Sequence, residues 1–114
     1  MRLHLIPLFL GALLAVGACN RQSEVDRAAF RMLGDARFAL RYQHYAEARD
    51  SIYALRKKYP TAIEARRQAI LLLDSIELMG ARDSLQHAEG AEWERLHVKS
   101  QFFERKLKED LNKQ

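Results

Sequence analysis

The sequence predicts an all-α protein, with antiparallel helices followed by a long C-terminal helix. From Ser23 onward, apolar residues recur at spacings of three and four, which is the repeat of a helix with one buried face. No stretch of the sequence alternates apolar and polar residues as a half-buried strand would. Pro60 is the only proline after Ser23, and a composition of 48% hydrophobic and 30% charged residues is typical of a folded globular chain.

Residues 1–18 form a predicted signal peptide. Arg2 precedes an almost unbroken apolar run over residues 3–16, and two small residues separate that run from Cys19. A basic start, an apolar middle and a small-residue end are typical of a secretory signal. Because the run is shorter than the roughly 20 residues of a membrane-spanning helix, we expect residues 1–18 to be cleaved.

The segment Val16-Gly17-Ala18-Cys19 resembles the lipobox of bacterial lipoproteins. The resemblance implies that Cys19 is acylated, becomes the new amino terminus and anchors the chain in the lipid bilayer, with residues 19–23 as a lipidated linker. Asn20, where an Asp would favour the inner membrane, implies the outer membrane. Residues 20–23 lack the acidic run of some surface-exported lipoproteins, which favours a periplasm-facing body. The alternative is an ordinary secretory signal in which Cys19 has no role.

Three helices are predicted within residues 24–79. Ser23 can cap the first, Pro60 ends the second, Thr61 and Glu64 form a capping box for the third, and Gly80 stops it. The predicted buried stripes are Val25, Ala29, Met32, Ala36 and Ala39; Tyr45, Ala48, Ile52, Leu55 and Tyr59; and Ala62, Ala65, Ala69, Leu72, Ile76 and Met79.

The segment Tyr45-Ala46-Glu47-Ala48, followed by Ile52 and Tyr59-Pro60 between alanine-rich helices, resembles a tetratricopeptide repeat. It is similar to the repeats of outer-membrane assembly lipoproteins. The resemblance covers residues 29–79, about one and a half repeats, with Gln43 where a turn glycine is expected and Phe38 among the space-filling side chains. Because such architectures usually need about three units, another element must cover the core.

A long C-terminal helix is predicted within residues 80–114, interrupted by Gly90. At 1.5 Å per residue it would measure about 45 Å and overrun the shorter helices. The overhang would expose an apolar surface, which usually marks a partner site. Its predicted contact residues are Trp93, Leu96, Phe102 and Phe103.

The net charge of +4 is distributed unevenly, because residues 21–67 hold eleven basic and six acidic side chains. A basic chain could suggest nucleic acid, but an exported, lipid-anchored protein meets no genome. We therefore expect no nucleic acid partner, and expect anionic lipid headgroups or acidic protein surfaces instead. Arg56, Lys57 and Lys58 are interpreted as complements to the dipole of the second helix.

The tetratricopeptide resemblance also implies a shallow binding groove. Guanidinium groups there could hold a carboxylate in bidentate fashion. The alternative is that the arginines are solvated charges paired with neighbours such as Glu64. The positions that the resemblance makes ligand-facing are Phe30, Leu33, Arg37, Arg41 and Arg67.

The sequence predicts no catalytic site, no metal site, no cofactor and no small-molecule substrate. His87 and His97 are ten residues apart and could share a helix face, but they could not bind one metal ion together. The sequence has no nucleophile elbow, glycine-rich phosphate loop or His-Glu-x-x-His pattern.

The predicted function is that of a periplasm-facing lipoprotein adaptor, or accessory subunit, of an outer-membrane or periplasmic protein complex. The alternative is a structural envelope lipoprotein that associates with its own copy. A helix pair of that kind would use a stripe at spacings of four, three and four. Its residues are Leu96, Ser100, Phe103 and Leu107.

Overall fold

A computed structural model describes the backbone from Leu5 to Gln114 and the side chains from Asn20 onward. The start of the predicted signal peptide, the side chains of its remainder and the thiol of Cys19 lie outside the described residues. The chain forms four helices: α1 (Leu5–Arg41), α2 (Tyr45–Lys58), α3 (Ile63–Leu85) and α4 (Gly90–Lys113). The described residues contain no strand, so the predicted all-α fold is confirmed.

The helices form two antiparallel hairpins, α1–α2 and α3–α4. Helix α3 packs against both helices of the first hairpin, whereas α4, among the described helices, packs on α3 alone. The turn between α1 and α2 has Gln43 at φ +62°, in the left-handed region where the repeats that the sequence resembles have glycine. The amide of Gln43 donates to the Leu40 carbonyl at 3.0 Å and closes the end of α1.

The apolar core lies between α1, α2 and the first half of α3. Alanine at many of its positions lets the helix backbones approach closely, and larger aliphatic side chains fill the remaining space. The predicted stripes are therefore confirmed, except that Met79 is exposed. Phe38 is exposed as well and packs on Tyr42 at 4.8 Å between ring centroids. The core residues are Ala29, Leu33, Ala36, Ala39, Ala48, Ile52, Leu55, Ala62, Ala65, Ala69 and Ile76.

Two glycines have roles opposite to those predicted. Helix α3 does not stop at Gly80 but continues to Leu85. At Gly80 the ring of Tyr45 crosses the helix so closely that an added Cβ would lie 3.4 Å from Tyr45 Cγ. Gly90 does not interrupt the last helix but begins it, with φ +61°. Because the break lies at residues 86–89, α4 has 24 residues against 23 in α3, and the predicted overhang does not form.

The helix starts differ from the predicted caps. Helix α1 runs unbroken through residues 19–23, so Ser23 is not its cap. Helix α3 has Ala62 at its N-cap without a side-chain hydrogen bond, and Glu64 pairs with Arg67 instead of forming a capping box. The end of α2 at Lys58, just before Pro60, is confirmed. Within the described part of the chain, no helix combines the length and apolar character needed to cross a membrane.

Candidate partner-binding surfaces

The predicted groove residues lie along α1 and the start of α3. Arg37 Nη2 donates to Gln68 Oε1 at 2.8 Å, and Gln68 Nε2 donates to Glu64 Oε1 at 3.5 Å. Arg67 Nη1 lies 3.1 Å from the other carboxylate oxygen of Glu64. The structure thus connects Arg37 and Arg67 through Gln68 and Glu64, which agrees with the alternative of solvated helix-face charges paired with neighbouring side chains.

Of the other groove residues, Phe30 and Arg41 are exposed on α1, but Leu33 is fully buried. On a helix with 3.6 residues per turn, Leu33 shares a face with Ala29 and Ala36, which point into the core. The prediction that Leu33 lines an accessible groove is therefore wrong.

Helix α4 has an inner face on α3 and an outer face in solvent. Leu96 is buried against α3, so the prediction that it contacts a partner is wrong. Ser100 is also buried, and Phe103 and Leu107 are half-buried. The stripe predicted to pair with a second copy thus packs within the chain itself.

The outer face of α4 carries large exposed apolar side chains. Val98 is 64% exposed and Phe102 50%, whereas Trp93, nine residues before Phe102, lies on the other side of the helix and is 42% exposed. Trp93 stacks on His97 with ring centroids 4.7 Å apart, and Phe102 meets the half-buried Phe103 edge-on at 5.0 Å. Sequence reasoning missed Val98, although its spacing of four from Phe102 places both on one helix face.

Buried ion pairs join α3 to its neighbours, and sequence reasoning missed them as well. The carboxylate of Glu77 accepts a hydrogen bond from Arg49 on α2 and lies 3.0 Å from Lys99 Nζ on α4. One turn away, Lys106 Nζ lies 3.0 Å from Asp74 and 2.7 Å from Asp110. The available signal was that Lys99 and Lys106 are seven residues apart, which puts them on one face of α4.

The environment shifts the pKa values of these buried groups in different directions. Burial, and then the neighbouring carboxylate of Asp110, raise the pKa of Asp74 to about 6, although Lys106 opposes the rise. Burial alone would also raise the pKa of Glu77, but the hydrogen bonds from Arg49 and Lys99 outweigh it and lower that pKa. The two carboxyl groups therefore respond to pH with opposite signs.

A third ionisable contact closes the far end of the bundle. The Tyr45 hydroxyl donates to Asp83, and burial followed by this hydrogen bond raises the pKa of Tyr45 to about 12. The phenol stays protonated at neutral pH and ties the start of α2 to the end of α3.

From Asn20 onward, no group of three His, Cys, Asp or Glu side chains is arranged to hold a metal ion. Comparisons with protein-family models, curated proteins and solved structures found no match to this chain.

Proposed function

We propose that this protein is a lipid-anchored, periplasm-facing adaptor or accessory subunit of a larger outer-membrane protein complex. In this proposal Cys19 carries the lipid, and the helical body is a bacterial lipoprotein module of about one and a half tetratricopeptide-like repeats. Two observations support the module: the stacked hairpins, and the packing of α3 against both helices of the first hairpin.

The observation that carries the proposal is the outer face of α4. This helix packs on α3 alone among the described helices, and Val98 and Phe102 are each at least half exposed on its free side. Large apolar side chains grouped on one exposed helix face usually mark a contact surface. Another helix laid along α4 would cover them with the i, i+4 spacing that helices use to recognise one another.

The proposal includes no enzymatic activity. The most strongly shifted ionisable groups, Asp74 and Tyr45, lie where α3 contacts α4 and α2, and they face other side chains of the same chain. Their pKa shifts follow from burial and from these pairings, so each shift has a structural cause.

Site-specific photo-crosslinking in native membranes tests the proposal. A photoreactive amino acid replaces Phe102 in one variant and Tyr53 in the control, because both aromatic side chains are 50% exposed and Tyr53 lies on α2. We expect position 102 to cross-link to one membrane or periplasmic protein, and position 53 to give no such product.

The same experiment separates the alternatives. Equal yields from both positions, or no product at position 102 at native expression level, would contradict the adaptor proposal. A product between two copies of this chain would instead support the self-associating structural lipoprotein, formed through the outer face of α4. In the variant Phe102→Asp we expect the co-purifying partner to be lost, whereas Tyr53→Asp should retain it.

A further inference from the structure

All four helices meet at one end of the bundle. Gln22 Nε2 on α1 donates to the Thr61 carbonyl in the turn between α2 and α3, at 3.2 Å. Gln114 Nε2, just after α4, lies 3.5 Å from the Arg67 carbonyl in the first turns of α3. We call this region the anchor-proximal end, because Cys19 lies three residues before Gln22 on the same helix, about 4.5 Å along its axis.

The anchor-proximal end carries more basic than acidic side chains, although its cations are scattered in the sequence. Glu64 is paired with Arg67, and Asp110 with both Lys106 and Lys113, so these two acids neutralise part of the charge; Glu109 is a further exposed acid near the end of α4. Asp26 accepts a hydrogen bond from Gln22 at 3.0 Å, and Glu24 is exposed beside it. The basic residues gathered here are Arg21, Arg56, Lys57, Lys58, Arg66, Arg67 and Lys113.

The opposite end, around the turns at residues 42–44 and 86–89, has the reverse balance. Acidic residues outnumber basic ones among the side chains beside these turns. The acidic residues are Glu47, Asp83, Glu89, Glu92 and Glu94, and the basic ones are Arg41, Arg82 and Arg95. The folded chain is therefore polarised along its length, with its positive pole beside Cys19.

An amphipathic groove lies at the positive pole. Ile63, 61% exposed, and Ile70 line a hollow of about 260 Å³ together with Arg56, Arg66 and Arg67. Arg66 Nη1 donates to the Pro60 carbonyl at 2.9 Å, while its buried Nε has no hydrogen-bond partner among the described residues. Isoleucine side chains between guanidinium groups suit a boundary where phosphates meet acyl chains, because each residue type faces its own phase.

We infer that the anchor-proximal end rests on the surface of an anionic bilayer, with Arg56 and Arg67 on lipid phosphates and Ile63 at the acyl boundary. The inference rests on the proposed lipid anchor at Cys19. An acidic protein is the less suitable occupant, because the short helical segment between Cys19 and Gln22 leaves no room for another protein between this end and the membrane. The pole carrying Trp93 then points away from the bilayer.

Tryptophan quenching by brominated lipid tests this orientation, because Trp93 is the only tryptophan. The mature full chain is reconstituted into vesicles of chain-brominated phosphatidylcholine, alone or in equal parts with phosphatidylglycerol. We expect no quenching of native Trp93. In the variant Ile63→Trp with Trp93→Phe, we expect quenching that is stronger with phosphatidylglycerol and weakens as salt rises.

Two double charge-reversal variants, one at each end of the bundle, test the role of the basic residues. Arg56→Glu with Arg67→Glu, made in the Ile63→Trp background, should lose the extra quenching that phosphatidylglycerol provides. Arg41→Glu with Arg95→Glu changes the net charge by the same amount at the opposite end of the bundle. This variant should keep the extra quenching that phosphatidylglycerol provides. Circular dichroism and thermal unfolding confirm that both variants fold. Equal quenching in both lipid mixtures, or quenching of Trp93 instead of position 63, would overturn the inference.

The mass of the mature chain separates the two proposals. A chain that carries lipid at Cys19 but shows no quenching at position 63 contradicts the orientation and leaves the anchor standing. A chain without lipid contradicts the anchor. In that case the basic end is tested by sedimentation with the same vesicles, where failure to bind phosphatidylglycerol vesicles at low salt contradicts it too. Cross-linking of position 63 to a protein in native membranes would assign this groove to a partner instead.

Discussion

The two halves of the molecule are held together by different chemistry. The α1–α2–α3 body packs through fully buried alanine, leucine and isoleucine side chains. The α3–α4 hairpin buries only Leu96 and Ser100 of α4 and adds Asp74 and Glu77 from α3, each paired with a lysine of α4. Apolar burial stabilises the first half at any pH, whereas the stability of the second half, which also buries Leu96, depends in part on the protonation of two carboxyl groups. Helix α4, whose outer face lies in solvent, is therefore the element whose attachment to α3 responds to pH.

Truncating the apolar core should have the largest effect. Ile52→Ala removes a fully buried side chain and leaves a cavity, so we expect a loss of about 3 kcal/mol in the free energy of unfolding. Ile63→Ala is the matched control, because the same side chain is 61% exposed there and should change stability by less than about 0.5 kcal/mol. Urea unfolding followed by circular dichroism measures both. Equal losses would mean that the body is not packed as described.

The next largest change in the free energy of unfolding is expected at Asp74. Whereas Ile52→Ala lowers this free energy, a substitution at Asp74 should raise it. The pKa of this carboxyl rises from 3.8 to about 6 on folding. The stability it contributes is therefore fully present below pH 3.8 and lost as pH rises through about 6. Asn mimics the protonated form, so at neutral pH Asp74→Asn should stabilise the protein by on the order of 2 kcal/mol.

Unfolding free energies of wild type and Asp74→Asn across the acid range check this sign. The advantage of the variant should shrink as pH falls toward 4, because wild-type Asp74 is then protonated in the folded state. A variant that is less stable than wild type at neutral pH would show that the ion pair with Lys106 outweighs the burial of the charge.

Glu77 should behave in the reverse way. Its pKa is lowered on folding, so its stability contribution is present above its unfolded pKa of 4.5 and is lost as pH falls through the folded value. Glu77→Gln should cost about 1.5 kcal/mol at neutral pH, because charged hydrogen bonds to Arg49 and Lys99 become neutral ones.

The matched control is Glu104→Gln, because Glu104 forms an exposed pair with Arg82 at 3.7 Å and should change stability by less than about 0.5 kcal/mol. Thermal unfolding at neutral and acid pH measures the two variants side by side. A Glu77→Gln chain with wild-type stability at both pH values would show that this carboxylate does not stabilise the α3–α4 hairpin.

Alanine substitutions at Gly80 and Gly90 should change the free energy of unfolding least, and in opposite directions. Gly90→Ala places a side chain at φ +61° and should cost about 1 kcal/mol. Gly80→Ala puts a methyl group in contact with Tyr45 at 3.4 Å and improves helix propensity, so it should gain up to about 0.5 kcal/mol. Thermal unfolding distinguishes them. If both substitutions destabilise to the same extent, the approach of Tyr45 to α3 is closer than the structure shows.

The sequence predicted local features well and long-range ones poorly. Three apolar stripes identified the buried faces of α1, α2 and α3, since helical periodicity depends only on nearby residues. Gly80 was mistaken for a helix stop because its role depends on Tyr45, which lies 35 positions away in sequence but crosses α3 at that point. Leu33 was mistaken for a groove residue because repeat resemblance gave its position without its rotation about the helix axis.

The candidate surfaces show the same limit. The basic end could not be predicted, because Arg21, Arg56 and Arg67 come together only through contacts such as that of Gln22 with Thr61. The outer face of α4 was predicted only in part: Phe102 lies there and is 50% exposed, whereas Leu96 is buried against α3 and Trp93 is exposed on the other side of the helix.

Intact mass spectrometry of the mature chain purified from its native membrane tests the central claim most directly. We expect residues 1–18 to be absent and the mass to correspond to residues 19–114 with acyl chains on Cys19. The Cys19→Ala chain should retain residues 1–18 and carry no acyl chains. A wild-type chain with an unmodified Cys19, or one that retains residues 1–18, would contradict the proposed lipid anchor.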